Sequence, residues 1–249
     1  MSEDARAAVD VDSEGGVRRL RLRRPEKLNA LTGAMYTVLA DGLRGADADP
    51  TVGAVLVTGE GRAFCAGNDL ADFLGDPPTG PDSPVLAFLD ALMTVRVPVV
   101  VAVQGDAVGI GTTMLLHADV VVADATARFA LPFVALGLVP EAASSLLLPR
   151  VVGPRLAARM LLLGDRIGAE EALAAGLVTE VVAAGAHEEA AAGWARRLAD
   201  APRESVRTTR ALLHRLDGSP LERSHEEAAL FAERLSSPEF REAARRLLG

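Results

Sequence analysis

VPVVVAVQGDAVGIG, residues 97–111, joins a run of branched apolar residues to a glycine-rich turn and the opening of another element. VPVVVAV (97–103) has no polar alternation, so it predicts a strand covered on both faces. QGDAVGIG (104–111) has G-x-x-x-G-x-G spacing, which suits close backbone approach and exposed amides at a helix start. A helix over TTMLLHA then leads into a second apolar strand, DVVVAD (119–124). Upstream, GGVRRLRLRRP (15–25) alternates at Val17, Leu20 and Leu22, and VGAVLVTGEG (52–61) is another strand. Between them LTGAMYTVLADGLRGADAD (31–49) has helical spacing, with Thr32 as N-cap. The alternation of elements predicts an α/β fold around a buried sheet.

A helix over VLAFLDALMTV (85–95) follows GDPPTGPDSP (75–84), a Pro/Gly-rich loop expected to shape a pocket. From about 154 the pattern changes to amphipathic helices: PRLAARMLLLGD, AEEALAAGLV, HEEAAAGWARRLAD, RESVRTTRALLHRL and SHEEAALFAERL. The expected division is therefore a core over 1–185 and a helical region over 186–249. No fixed-period repeat interrupts it.

The chain of 249 residues is 49% hydrophobic and 24% charged, as expected for one large globular unit. Its net charge of −8 argues against a nucleic-acid backbone or an anionic membrane as partner. Lys27 is the only lysine. Cys65 is the only cysteine, which excludes an intrachain disulfide and a multi-cysteine metal site. The opening MSEDARAAVDVD lacks the order of a secretory signal, and the apolar runs are too short to span a bilayer. The expectation is a cytoplasmic protein without a metal.

Several motifs invite chemistry. The 104–111 turn could open a dinucleotide site of the short-chain dehydrogenase kind, but Tyr36 has Ala40, not lysine, four positions on. GRAFCAGNDL (61–70) is a second small-residue turn whose amides a ligand could reach. Cys65 within it has no histidine nearby in sequence, and a buried inert thiol is the plainer reading. His117, His187, His214 and His225 show no metal-ligand spacing, and His117 reads as a satisfied core histidine. Ser144 and Ser145 lack a nucleophile elbow. In LGLVPEAASS (136–145) one carboxyl, Glu141, lies among apolar and small residues. It is either a solvated acid, a helix-start acid or an acid/base group.

Taken together, RPEKLNAL (24–31), GRAFCAGNDL, VPVVVAVQGDAVGIG, FALPFVALGLVPEAASS (129–145) and GDRIGAEEALAAGLVTEVV (164–182) resemble the crotonase, or enoyl-CoA hydratase/isomerase, family. The resemblance covers roughly residues 15 to 185. It implies a crotonase-like spiral of ββα units with a C-terminal helical trimerisation region, forming trimers or dimers of trimers. It also implies a coenzyme A thioester substrate, no permanently bound cofactor, and an oxyanion hole of two backbone amides that match Ala66 and Ile110. Such donors stabilise an enolate, and losing one typically costs about 10²–10³ in rate.

The two hydratase glutamates of the family match Thr113 and Phe133, neither of which can act as a carboxylate on water. Glu141 instead matches the loop acid of the Δ3,Δ2-enoyl-CoA isomerases, whose LG-x-x-PE-x-x-SS pattern stands here as LGLVPEAASS. The expected activity is therefore isomerisation of a 3-enoyl-CoA to a 2-enoyl-CoA, in fatty-acid or related acyl-CoA metabolism. Thr113, Phe133 and Leu136 would line the substrate pocket. CoA contacts would come from Arg24, Lys27, Leu28, Ala63, Asn68, Asp69, Leu70 and Phe231. The alternatives are hydration or another CoA-enolate reaction, with Asp69, Asp72 or Asp106 contributing, and a non-catalytic acyl-CoA-binding scaffold.

Overall fold

A computed structural model describes residues 8–75, 80, 83–215 and 217–248. Strands β1 (Val9–Glu14), β2 (Val17–Leu22), β3 (Ala54–Gly59), β4 (Val99–Val103), β6 (Val120–Asp124) and β9 (Glu180–Val182) form one sheet in the order β1-β2-β3-β4-β6-β9. β1 and β2 form an antiparallel hairpin, and every later pairing in that sheet is parallel. Strands β5 (Asp106–Val108), β7 (Arg128–Ala130) and β8 (Ile167–Gly168) make a smaller sheet.

The apolar strands are buried on both faces, as their sequences require. Val55, Val57, Val99, Val101, Val103, Val121 and Ala123 enter one core cluster; Ala54, Leu56, Val100, Ala102, Val120 and Val122 enter another. A residue shift of one in any of these strands would exchange the two cores. Each fully buried valine or leucine contributes about 1.5–3 kcal/mol relative to exposure. The first core packs under the helices Gly33–Ala48 and Pro84–Thr94. Thr32 Oγ1 accepts the Met35 N–H at 3.3 Å and Ser83 Oγ the Leu86 N–H at 3.2 Å, so both helices are N-capped by side chains.

Successive chain segments repeat one path. Each leaves the large sheet, bends into the small one, and continues to a helix: β4 to β5 to residues 110–117, then β6 to β7 to residues 134–136. The segment after β3 does the same through a single bridge, Cys65 to Ala107. This is the expected spiral of ββα units.

Three expectations change in detail. The glycine turn is not all turn, because residues 106–108 pair with β7 as a short strand. The helix over TTMLLHA is one α-turn, Ile110–Thr113, followed by a 3₁₀ stretch, Met114–His117. The acidic opening contains β1, whose alternation is hidden because its residues after Val9 are largely solvent-facing. The helix His187–Ala199, C-terminal to the expected division at 185, covers the second face of the large sheet through Ala191 and Ala195. Helices Arg203–His214, Pro220–Leu235 and Pro238–Leu248 follow it.

Candidate active site

Two glycines hold the site's backbone geometry. Gly67 has φ +98° and Gly109 φ +54°, values that favour glycine. A Cβ on Gly67 would lie 3.1 Å from Val108 O, and one on Gly109 would lie 4.0 Å from Gly67 Cα, so the turns face each other closely. The residues after them are Asn68 and Ile110. Leu31 donates to Gly67 O at 2.8 Å and accepts from the Asp69 N–H at 2.8 Å. That leaves the intervening Asn68 N–H with no acceptor among the described residues. Ile110 begins a helix, so its N–H is one of the donors that a helix cannot satisfy internally.

Ala66 does not present a free amide. Its N–H donates to Leu28 O at 2.9 Å, tying the 61–70 turn to the left-handed residue Leu28. The unpartnered N–H of this turn is two residues later than the sequence expectation, because Ala66-Gly67 marks the small-residue stretch but not which peptide points outward. The parallel between Gly67-Asn68 and Gly109-Ile110 is the signal that finds it.

Glu141 lies close to the second turn. Its Oε1 accepts from Thr113 Oγ1 at 2.5 Å, and Thr113 is fully buried one turn after Ile110. Burial pushes the Glu141 carboxyl above its ordinary range, while the Thr113 hydrogen bond pulls it partly back. Phe133 is buried and carries no acid, as the sequence indicates, whereas Leu136 is about half exposed at 52%. Glu141 is not at a helix start: Ala142 (φ 51°) and Ala143 (φ 54°) separate it from the helix Ser144–Val152. Both alanines are left-handed, an uncommon conformation away from glycine. The Ser144 N–H and Oγ both donate to Glu141 O, at 2.9 and 2.6 Å.

The alternative acids are engaged elsewhere. Arg24 donates to Asp69 Oδ2 at 2.6 Å and holds that carboxyl below its usual range, while Asp69 Oδ1 accepts the Ala71 N–H at 3.0 Å. Asp72 Oδ2 accepts the Gly33 N–H at 2.8 Å, and Asp106 pairs with Arg166 at 2.9 Å. These partners give each of the three a structural role. Cys65 is fully buried and its thiol is pushed up to about 12, so it is an inert core residue. Tyr36, also fully buried, donates its hydroxyl to Asn68 Oδ1 and fixes that side chain beside the turn. Sequence reasoning used Tyr36 only to reject a dehydrogenase.

The expected CoA residues divide into groups. Lys27 is exposed and makes no ion pair among the described residues. Arg24, by contrast, is held by Asp69 and by Ala30 O at 3.1 Å. Ala63 is buried, and its carbonyl accepts from Asn29 Nδ2 at 2.8 Å. Leu70 is exposed. Phe231 lies apart from this set in the chain. It lines an apolar groove of about 530 Å³ between the C-terminal helices with Leu212, Leu230 and Phe240, and none of the other expected CoA residues lines that groove.

Comparison with known proteins agrees with this architecture. The enoyl-CoA hydratase/isomerase family model matches residues 12–248. The chain is 39% identical over 198 residues to the 1,2-epoxyphenylacetyl-CoA isomerase of Escherichia coli (strain K12), covering 76% of this chain and 75% of that protein. It is 39% identical over 189 residues to the peroxisomal enoyl-CoA delta isomerase 3 of Mus musculus, covering 72% of this chain but 59% of that protein. A solved structure from Magnetospirillum magneticum AMB-1, provisionally described as an enoyl-CoA hydratase/carnithine racemase, superposes with a TM-score of 0.94 at 41% identity, covering 99% of this chain and 96% of that one. With the ββα spiral, the paired glycine turns and a match across almost its full length, the chain belongs to the enoyl-CoA hydratase/isomerase, or crotonase, family.

Proposed function

We propose that this protein is an enoyl-CoA isomerase that moves the double bond of a 3-enoyl-CoA to the 2-position. The observation that carries the reading is Glu141: a half-buried carboxyl held at 2.5 Å by Thr113, with its proton affinity raised by burial. The thioester oxygen lies between the Asn68 and Ile110 N–H groups. Glu141 takes a proton from C2, the C2–H electrons pass into the thioester, and the charge accumulates on that oxygen. The resulting dienolate takes the proton back at C4, and the double bond comes to rest in conjugation. One proton leaves and one returns, so no cofactor, oxidant or water is consumed.

Hydration requires a carboxylate to activate water, and Thr113 and Phe133 occupy the positions where hydratases carry theirs. A raised pKa also suits Glu141 to both halves of the isomerisation, since the same group must accept and then release the proton. Names of relatives such as 1,2-epoxyphenylacetyl-CoA isomerase and enoyl-CoA delta isomerase support an isomerase reading.

The wider setting belongs to the same proposal: fatty-acid or related acyl-CoA metabolism in the cytoplasm, by a trimer or dimer of trimers. Exposed Leu213, Leu221 and Phe231 support assembly through the C-terminal region, and no helix among the described residues is long and apolar enough to cross a membrane. The catalytic reading is tested by offering the purified protein a 3-enoyl-CoA and a 2-enoyl-CoA. Conjugation of the first without hydration of the second is expected. Hydration of the second at a comparable kcat/KM would overturn the assignment, and thioester binding without turnover would make the protein a scaffold.

A further inference from the structure

His117 lies outside the chemistry just described, yet it touches the turn that carries Glu141. Its ring is buried, and Nε2 lies 2.9 Å from Ala142 O. A carbonyl oxygen can only accept, so Nε2 must carry the proton. Burial lowers the affinity of the ring for a second proton, which favours the neutral form with the hydrogen fixed on Nε2.

The carbonyl it holds belongs to the first of two consecutive left-handed alanines, φ 51° and 54°. Such a pair relaxes toward ordinary backbone unless its surroundings hold it. Relaxation would rotate the chain directly after Glu141 and swing its carboxyl. Thr113 closes the α-turn and His117 closes the 3₁₀ stretch of the same helical segment, 110–117. Thr113 holds the side chain of residue 141, and His117 holds the backbone of residue 142. The stretch is itself anchored: Arg210 donates to His117 O at 3.3 Å and to Asp119 Oδ2 at 2.7 Å.

We propose that His117 is a positioning residue for proton transfer, its Nε2–H clamping the strained Ala142–Ala143 turn so that Glu141 faces the two amides. This rests on Glu141 as the acid/base, and it adds that the same helical stretch supplies an oxyanion donor, a carboxyl anchor and a backbone clamp.

The experiment compares 3-enoyl-CoA isomerisation by wild-type protein, Glu141→Gln, His117→Leu and His117→Gln, with rates expressed per folded molecule. Leucine removes the donor, whereas the glutamine amide nitrogen reaches the place of Nε2. His117→Leu should lose about 10- to 100-fold in kcat with KM within a factor of two, and His117→Gln should recover most of the loss. An unchanged kcat in His117→Leu, or equal loss in both His117 variants, would overturn the clamp. A Glu141→Gln variant that keeps full turnover would instead overturn the underlying acid/base reading. Two measurements need no activity. Nitrogen NMR of the wild-type ring should show the Nε2–H tautomer, and an Nδ1–H tautomer contradicts the clamp. Amide exchange at Ser144 should accelerate in His117→Leu but not in His117→Gln, and unaltered exchange in both also contradicts it.

Discussion

Thr113 Oγ1 donates to Glu141 Oε1 at 2.5 Å, so the helical turn that starts at Ile110 anchors the carboxyl of the 136–145 loop. The bond opposes the rise that burial imposes on the carboxyl. Thr113→Val keeps the shape and removes the donor, so the Glu141 pKa should rise further. The carboxylate is the form that takes the C2 proton, so the acid limb of kcat/KM should shift to higher pH and the rate at neutral pH should fall. A pH–rate profile of the two proteins checks this.

Glu141 also opposes folding at neutral pH. A carboxyl whose folded pKa is raised binds its proton more tightly in the native state than in the unfolded chain. Stability from that group is full below the unfolded value and is lost as pH rises through the folded one. Glu141→Gln should therefore raise Tm at pH 7, by about 2 °C if the gain approaches 1 kcal/mol, and the gain should disappear below pH 4. Calorimetry at both pH values decides it.

The oxyanion donors are main-chain groups, so their test goes through the glycines that aim them. Gly67→Ala would bring a Cβ within 3.1 Å of Val108 O at φ +98°, tilting the Asn68 peptide. Gly15→Ala meets nothing within 4 Å at φ +56°, and it carries the conformational cost without touching the site. We expect Gly67→Ala to lose about 10²-fold in kcat and Gly15→Ala to lose stability alone. Steady-state kinetics with a folded-fraction correction separate the two.

Arg210 and Asp119 form a nearly buried pair, with side-chain exposures of 7% and 18%. Burial alone would raise the Asp119 pKa; the His214 hydrogen bond and the Arg210 charge and hydrogen bond bring it below the usual value. This stabilisation is present above the ordinary aspartate range and is lost as pH falls through the lowered value. Arg210→Met leaves the nearly buried carboxylate with only its His214 and Val99 hydrogen bonds and should cost about 3 kcal/mol at pH 7, less at pH 3. Urea unfolding at the two pH values measures the difference.

The parallel sheet was legible because Val99–Val103 and Val120–Asp124 are apolar on both faces, and two packed layers are what such strands require. β5, β7 and β8 were not, since two- or three-residue strands carry no period. Glu141 was legible as an acid in an apolar frame, and the family pattern gave it a role. The free amide of the 61–70 turn was expected at Ala66 and is found at Asn68, because which peptide turns outward depends on the pairing of residues 67 and 69 with Leu31. That pairing joins segments more than thirty residues apart. His117 was read as a satisfied core histidine, which it is; that its partner is the turn beside Glu141 becomes visible only in three dimensions.

The most direct test is the turnover of a 3-enoyl-CoA by Glu141→Gln, with thioester affinity measured on the same preparation. Glutamine preserves the size and can still accept from Thr113, but it cannot take the C2 proton. The account predicts kcat reduced by about 10³-fold or more with affinity nearly unchanged, within the effect expected of a sole acid/base. A variant that isomerises within tenfold of the wild-type rate would contradict it.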